Sequence, residues 1–277
     1  MEIAITTIYC LTDDVLKTNR HQEDPQCTVS DAEVITVALT AARFFSGNFE
    51  AAWDLLTEHD YMPERLSRSQ FNRRLHRLTT WLEALFEYLA SIWKQTGEEA
   101  LFLIDSFPVS VCDNIRIARA RIYPLEATEE AFRGYIPSKR RYFYGLRVHM
   151  LTNEAGLPVE VFLTPGHEND TAQLKNFAFD LPKGSAVYGD KAYNEYFTED
   201  LLKQACGIAL LPLRKKNSKR GLAAYVEYLQ QYYRKRIETA FSSFERLLPK
   251  SIHAVTARGF ELKVFLFVLA CSFDGLL

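Results

Sequence analysis

Four large apolar residues run directly into a carboxylate and a hydroxyl in the stretch Leu101-Phe102-Leu103-Ile104-Asp105-Ser106. A strand with one face in water would alternate apolar and polar side chains, so this continuous run predicts a strand that is covered on both faces. Asp105 then stands where the strand leaves the core, on a rigid support for a reactive group. A single acidic residue at a strand end is more often a turn or cap residue, so its interpretation depends on other acids.

Two further acidic residues occupy comparable positions. Asp190 closes the apolar run that begins at Ala186, and Glu238 lies on a long helix that the pattern predicts over residues 222–248. Glu238 lies about 100° around that helix from Ile237, which places it at the edge of the buried stripe. Arg234, one turn earlier, would pair with Glu238 or hold a phosphate. For this helix alone, an ordinary surface ion pair explains both residues at least as well.

Together, the three acids predict a metal site. Three carboxylates at one rim of a sheet repel each other unless cations join them, and hard oxygen ligands favour Mg²⁺, or Mn²⁺ in its place. Two such ions about 4 Å apart activate a water or a 3′-hydroxyl and stabilise the leaving oxygen at phosphorus. In this hypothesis Asp105 bridges both ions, while Asp190 and Glu238 each hold one. Glu227 and Glu245 are rival third acids, less well placed on the helix.

Composition sets the bounds for this hypothesis. A chain of 277 residues with 48% hydrophobic and 25% charged residues is typical of a soluble globular protein. Five scattered cysteines, no basic leader and no apolar run longer than residues 264–271 predict a cytoplasmic protein with reduced thiols. The net charge of −2 does not indicate nucleic acid, so DNA binding would depend on local basic patches.

The first 96 residues predict a helical domain. Ser30 and Glu33 have the spacing of a capping box, and a second helix is expected over residues 48–59. A further apolar face continues from Phe71 to Trp93 without a break. Its first part carries the basic side chains of a helix-turn-helix DNA reader, namely Arg73, Arg74 and Arg77. A helical bundle with a solvated basic face explains the same pattern equally well.

From residue 97 to residue 277 the pattern changes to strands mixed with helices. After the opening strand come an irregular stretch over residues 116–141, a hairpin over residues 142–163, a helix over residues 172–179 and the strand that ends at Asp190. A helix over residues 195–204, a short strand over residues 207–211 and two further helices complete the order. This order predicts a mixed α/β domain with one sheet and helices on its faces.

Basic residues gather in two places in this second domain. Residues 116–141 interleave cations with aromatic side chains, which suits a surface that follows a DNA backbone, although a solvated loop explains the charges nearly as well. Residues 214–220 form the densest basic cluster. With the helical residues named above, the predicted DNA contacts are Lys139, Arg140, Arg147, Lys191, Arg214, Lys215, Lys216 and Arg234.

Four blocks in chain order resemble a known family: Ile104-Asp105-Ser106, Tyr142-Phe143-Tyr144-Gly145-Leu146-Arg147-Val148-His149, Gly189-Asp190-Lys191-Ala192-Tyr193 and Arg234-Lys235-Arg236-Ile237-Glu238. They resemble the DDE transposases of bacterial insertion sequences, in particular those like insertion-sequence family 982. The resemblance implies a ribonuclease-H-like catalytic fold with Asp105, Asp190 and Glu238 as the catalytic triad and Mg²⁺ as the cofactor.

The resemblance also implies the partners. The helical N-terminal region would recognise the terminal inverted repeats of the element, and the catalytic domain would join their 3′-hydroxyls to target DNA. Pairing of two ends implies a homodimer, associated with the nucleoid when bound. Two alternatives stay open: a metal-dependent nuclease of the same fold that does not join strands, and a DNA-binding protein whose catalytic half is inert.

Overall fold

The computed structural model describes residues 1–97, 100–113, 116–117, 120–123, 130–214, 218–221, 223–249 and 252–277. These residues form two compact units, one of Met1–Leu89 with Arg246–Leu277 and one of Ala90–Glu245. Within the described part of the chain, no helix is both long and apolar enough to cross a membrane. All five cysteines are free thiols, as the sequence predicts.

The first unit is all helical. Its helices are α1 (Glu2–Thr18), α2 (Asp31–Phe44), α3 (Phe49–Glu58), α4 (Arg68–Arg77), most of α5 (Thr79–Trp93) and α9 (Ala257–Ser272). The capping box of Ser30 and Glu33 starts α2 as expected, and Ser67 with Gln70 forms a second one at the start of α4. These local bonds place the helix starts, while burial of α2 on nearly all sides places it at the centre of the unit.

Two sequence predictions about this unit differ from the structure. The apolar face from Phe71 to Trp93 predicts one helix, but the chain breaks at Leu78, whose amide donates to the carbonyls of both Arg74 and Leu75. The C-terminal segment was assigned to the domain of residues 97–277. Instead, Arg246–Leu277 packs with the N-terminal helices, because the almost wholly buried α9 lies against α2.

The second unit begins before residue 97. Asn153 Nδ2 donates to the carbonyl of Trp93 at 3.3 Å, and Lys94 pairs with Asp180 at 3.0 Å, so the end of α5 is held by the sheet unit. The strands are β1 (Leu101–Asp113), β2 (Arg133–Ile136), β3 (Arg141–Asn153), β4 (Pro158–Pro165), β5 (Ala186–Gly189) and β6 (Ala209–Pro212). The helices are α6 (Asp170–Gln173), α7 (Tyr196–Leu201) and α8 (Ala224–Leu247).

The sheet is mixed and has β1 at its centre. β3 pairs with β1 in antiparallel fashion, and β2 and β4 share the far edge of β3. On the other side β5 and β6 follow in parallel, which gives the order β2-β3-β1-β5-β6. This arrangement, with flanking helices and a helical N-terminal region, confirms the mixed α/β fold class.

Some elements differ in length from the sequence prediction. β1 is 13 residues long and continues beyond Asp105 with alternating burial. β2 lies in the stretch that was predicted to be irregular, where it pairs with the start of β3. The helix expected over residues 172–179 is instead a short α6 followed by a 3₁₀ turn, because Phe177 and Phe179 leave the helix to pack in the core.

Candidate active site

The parallel pairing of β1 and β5 brings two of the predicted acids together. Ile104 is the register partner of Gly189, so Asp105 and Asp190 are the next residues on two neighbouring strands. Asp190 is exposed, and its Oδ1 accepts a hydrogen bond from the Ala192 amide at 2.6 Å. The structure therefore places two of the three predicted acids at one end of the sheet.

Gly189 makes this close pairing sterically feasible. A Cβ at this position would lie 2.7 Å from Ile104 Cγ2 and 3.2 Å from Tyr193 Cδ2. The first distance is too short for two carbon atoms, and Cγ2 belongs to the stiff β-branched part of Ile104. The Gly-Asp pair thus has a packing reason as well as a chemical one.

Asp105 is an acid whose charged form is unfavourable in its surroundings. Burial, with the charges of Asp190 and Asp170, raises the pKa of its carboxyl from 3.8 to about 7. A hydrogen bond from the Ser106 amide to Oδ1, at 2.8 Å, and the Arg147 guanidinium act in the opposite direction. Neighbouring carboxylates with excess negative charge, one partly buried and one exposed, are the donor set that a hard divalent cation would complete, so Asp105 and Asp190 fit Mg²⁺ or Mn²⁺.

A third carboxylate near Asp105 is Asp170, which the sequence analysis did not identify. Its Oδ1 accepts a hydrogen bond from Ser106 Oγ at 2.6 Å and lies 3.5 Å from Arg147 Nη1. Thr171, the next residue, donates its hydroxyl to the Ala192 carbonyl in the turn that follows Asp190. Asp170 is thereby fixed between the middle of β1 and the turn that follows β5. The sequence signal for it was a polar loop directly after β4, residues 166–170.

Two buried polar side chains, Tyr193 and His149, interact with the charge of Asp170. Tyr193 is fully buried, and burial with the charges of Asp170, Asp105 and Asp190 raises the pKa of its hydroxyl well above 10.0. Burial lowers the pKa of His149 to about 4, although Asp170 opposes this shift. His149 Nε2 lies 3.0 Å from Thr164 Oγ1, while its Nδ1 has no hydrogen-bond partner among the residues that the structure describes. Both side chains are therefore neutral at pH 7 and contribute no charge to the site.

Glu238 lies on α8, which packs on the face of the sheet that includes Asp105. Tyr188 on β5 contacts Tyr233, with ring centroids 4.6 Å apart, and Phe107 on β1 contacts Phe241 at 6.0 Å. Glu238 is between these two contacts along the helix. Its side chain is 61% exposed and bonds to Arg234 Nε at 3.0 Å, so the predicted pair forms. The structure does not bring the Glu238 carboxylate into contact with the two aspartates.

A compact set of metal-ligating atoms occurs elsewhere among the described residues. His21, Glu23 and Asp31, in the helical unit, have ligand atoms within 4.8 Å of one another, whereas the Asp105 site has no such group of three. Asp31 is already bonded to His21 Nε2 at 2.8 Å and to the Arg74 guanidinium. This cluster is a satisfied hydrogen-bond network that ties the α1–α2 loop to α4.

The predicted DNA contacts divide by exposure. Arg74, Arg147 and Arg214 are held within the fold, with 16%, 18% and 12% of their side chains exposed. Arg214 makes two bonds to Glu199, at 2.6 and 2.8 Å. The exposed members are Arg73, Arg77, Lys139, Arg140, Lys191 and Arg234, while Lys215 and Lys216 lie outside the described residues.

Comparisons with known proteins give a family match and a match to a solved structure. The family described as Transposase DDE domain matches residues 95–252, more than half of the chain and a range that includes all three predicted acids. A solved structure of piggyBac transposase, in a synaptic complex with hairpin DNA, aligns with a TM-score of 0.45 and 9% identity over 96% of this chain and 71% of the other. A comparison with curated proteins finds no significant match.

Proposed function

The chain belongs to the Transposase DDE domain family, and on that premise we propose that it cleaves DNA at the ends of its element and transfers the 3′-hydroxyls into target DNA. The general class, a DNA transposase, follows from the family. The two reaction steps are the proposal, and membership of insertion-sequence family 982 stays a prediction.

One observation carries the proposal. Asp105 within β1 and Asp190 directly after β5 follow paired residues of two neighbouring parallel strands, and the pKa of Asp105 is raised to about 7 by burial and by nearby acids. A structural aspartate on a strand is normally stabilised as a carboxylate by its hydrogen bonds. An acid kept in an environment that opposes its charge is typical of a functional group instead.

Asp105, Asp190 and Glu238 are the residues that would hold the metal, either Mg²⁺ or Mn²⁺, as two ions. Bound there, the ions would activate the attacking oxygen and stabilise the leaving oxygen at phosphorus. Glu238 must exchange its bond with Arg234 for a position beside the aspartates. Arg234, exposed by 57%, is then free to hold a phosphate of the bound DNA.

We assign DNA recognition to α4 and its exposed cations. Arg73 and Arg77 lie on the open face of a ten-residue helix whose first turn is polar, and α3 precedes it. This order is that of a helix-turn-helix reader, in which the second helix enters the major groove. Lys139, Arg140 and Lys191, all exposed, would hold DNA near the catalytic unit, and we expect a homodimer to pair two ends.

Strand transfer tests the proposal. The purified protein is incubated with a labelled DNA fragment that ends in the flanking inverted repeat, with supercoiled target DNA and Mg²⁺ or Mn²⁺. We expect labelled joint products that depend on the metal and disappear with EDTA. Cleavage without joint products would indicate a nuclease of the same fold.

Substitution of the acids tests the second alternative, a DNA-binding protein whose catalytic half is inert. Asp105→Ala, Asp190→Ala and Glu238→Ala are each expected to abolish cleavage while binding of the repeat, measured by gel shift, is kept. Asp180→Ala is the matched control, because this aspartate is 88% exposed and pairs with Lys94 away from the site. Binding without cleavage by the wild-type protein would identify an inert DNA-binding protein and overturn the proposal.

A further inference from the structure

A polar cluster lies on the face of the sheet opposite to α8. Side chains alternate along a strand, so Asp105 shares a face with Phe107, whereas Ser106 points to the other face. Ser106 is the register partner of His149 on β3, and Arg147 lies on the same face two residues earlier. Asp170, at the start of α6, closes the cluster.

Hydrogen bonds connect the members of this cluster. Ser106 Oγ donates to Asp170 Oδ1 at 2.6 Å and accepts from Arg147 Nη1 at 3.0 Å. The amide of the same Ser106 donates to Asp105 Oδ1 at 2.8 Å. Ser106 therefore connects the two acids: its side chain bonds to Asp170 and its backbone amide bonds to Asp105.

The charge balance of the cluster argues against a direct metal role for Asp170. Its side chain is 21% exposed and lies 3.5 Å from Arg147, which is 18% exposed, so the negative charge has a buried counter-charge. Asp105 forms no ion pair with any of the described residues, and the Arg147 charge offsets only part of the rise in its pKa. A carboxylate already bonded to a hydroxyl and close to a guanidinium serves better to orient neighbours than to bind a cation.

We propose that Asp170 is a positioning residue: through Ser106 and Arg147 it fixes the orientation of the Asp105 carboxylate from the opposite face of the sheet. This inference rests on the proposed function, since it assumes that Asp105 holds a divalent cation. Removal of Asp170 would leave the Asp105 carboxylate in place but free to rotate, which weakens metal binding without removing a ligand.

The test measures Mn²⁺ binding directly, by electron paramagnetic resonance of free Mn²⁺, in the full chain without DNA. The variants are Asp170→Asn, Ser106→Ala and the double variant, with Asp180→Asn as a matched control. We expect each single variant to raise the dissociation constant by about 10- to 100-fold, the usual effect of partners behind a metal ligand. The double variant should be no weaker than the weaker single variant, because both changes break the same connection. The control should bind like the wild type.

Two outcomes would overturn the inference. If the effects of Asp170→Asn and Ser106→Ala multiply in the double variant, Asp170 binds the cation itself. If both folded variants, checked by near-ultraviolet circular dichroism, bind Mn²⁺ normally, Asp170 does not position Asp105. If Asp170→Asn fails to fold, Ser106→Ala alone tests the inference, because weaker Mn²⁺ binding is expected for it as well. Failure of the proposed function is a different result: the wild-type protein would then show no Mn²⁺ binding that Asp105→Asn removes.

Discussion

Phe107 on β1 packs against Phe244 on α8, with ring centroids 4.8 Å apart. Because Phe107 and Asp105 point to the same face of the strand, this contact shows that α8 covers the face on which Asp105 lies. Glu238 precedes Phe244 on the same helix by less than two turns. The third acid is therefore mounted on the correct helix, although its side chain is bonded to Arg234.

Glu238→Gln should abolish DNA cleavage. Glutamine keeps the size of the side chain but removes the charge that holds a cation, so we expect a loss of at least about 100-fold, above the 10- to 100-fold typical of partners behind a ligand. Glu245→Gln is the control, since this exposed glutamate lies two turns further along α8. Rates of nicking on an inverted-repeat substrate provide the measurement, and equal losses in both variants would contradict the assignment.

Asp105→Asn should stabilise the protein in EDTA. An acid whose pKa is raised on folding, here from 3.8 to about 7, costs stability as the pH rises through that range, and the cost is complete above pH 7. At pH 8 we expect a higher Tm for the variant, with each kcal/mol equal to roughly 2–4 °C, and a smaller difference at pH 5. Mg²⁺ should raise the Tm of the wild type alone. A lower Tm for the variant at pH 8 would contradict this account.

Local signals predicted most of the helical starts and the central strand. The capping box of Ser30 and Glu33 lies within four residues, and the apolar run before Asp105 indicates a buried strand by its composition alone. The elements that were missed depend on distant partners. β2 forms because residues 133–136 pair with β3. α9 belongs to the helical unit because it packs against α2, which lies more than 200 residues earlier in the chain.

The same distinction applies to the site. Asp105 and Asp190 were found because each ends an apolar run, and parallel strands bring such ends together. Asp170 was not identified from the sequence, because only tertiary structure places it beside Ser106, 64 residues earlier. Arg74 and Arg147 have the sequence context of surface cations, and their partners Asp31 and Asp170 cannot be identified from helical or strand periodicity.

Arg73→Ala and Arg77→Ala should weaken DNA binding without lowering stability. Both side chains are exposed on α4, so each phosphate contact that is lost should reduce the slope of log K against log salt by about 0.9. Binding of the repeat at several salt concentrations, by fluorescence anisotropy, provides the measurement. An unchanged slope in both variants would show that this face of α4 does not contact the backbone.

Arg74→Ala should behave differently from its neighbour on the same helix. The Arg74 guanidinium bonds to the half-buried Asp31 and to the Val29 carbonyl, so its removal leaves a charged acceptor unpaired. We expect a loss of about 1.5–3 kcal/mol in the free energy of unfolding, as for hydrogen bonds to charged groups. Chemical denaturation measures it, and a variant as stable as the wild type would contradict this role.

Gly189→Ala should displace the two aspartates through a steric clash, without changing any charged group. The added methyl would lie 2.7 Å from Ile104 Cγ2, so β5 must move away from β1 or Ile104 must leave its rotamer, at a cost of about 1–3 kcal/mol. Either movement separates Asp190 from Asp105 and should slow cleavage. Gly221→Ala is the matched control, because a Cβ there meets nothing within 4 Å. Denaturation curves and nicking rates for both variants test the claim, and a Gly189→Ala protein as stable and active as Gly221→Ala would show that the two strand ends tolerate a wider spacing.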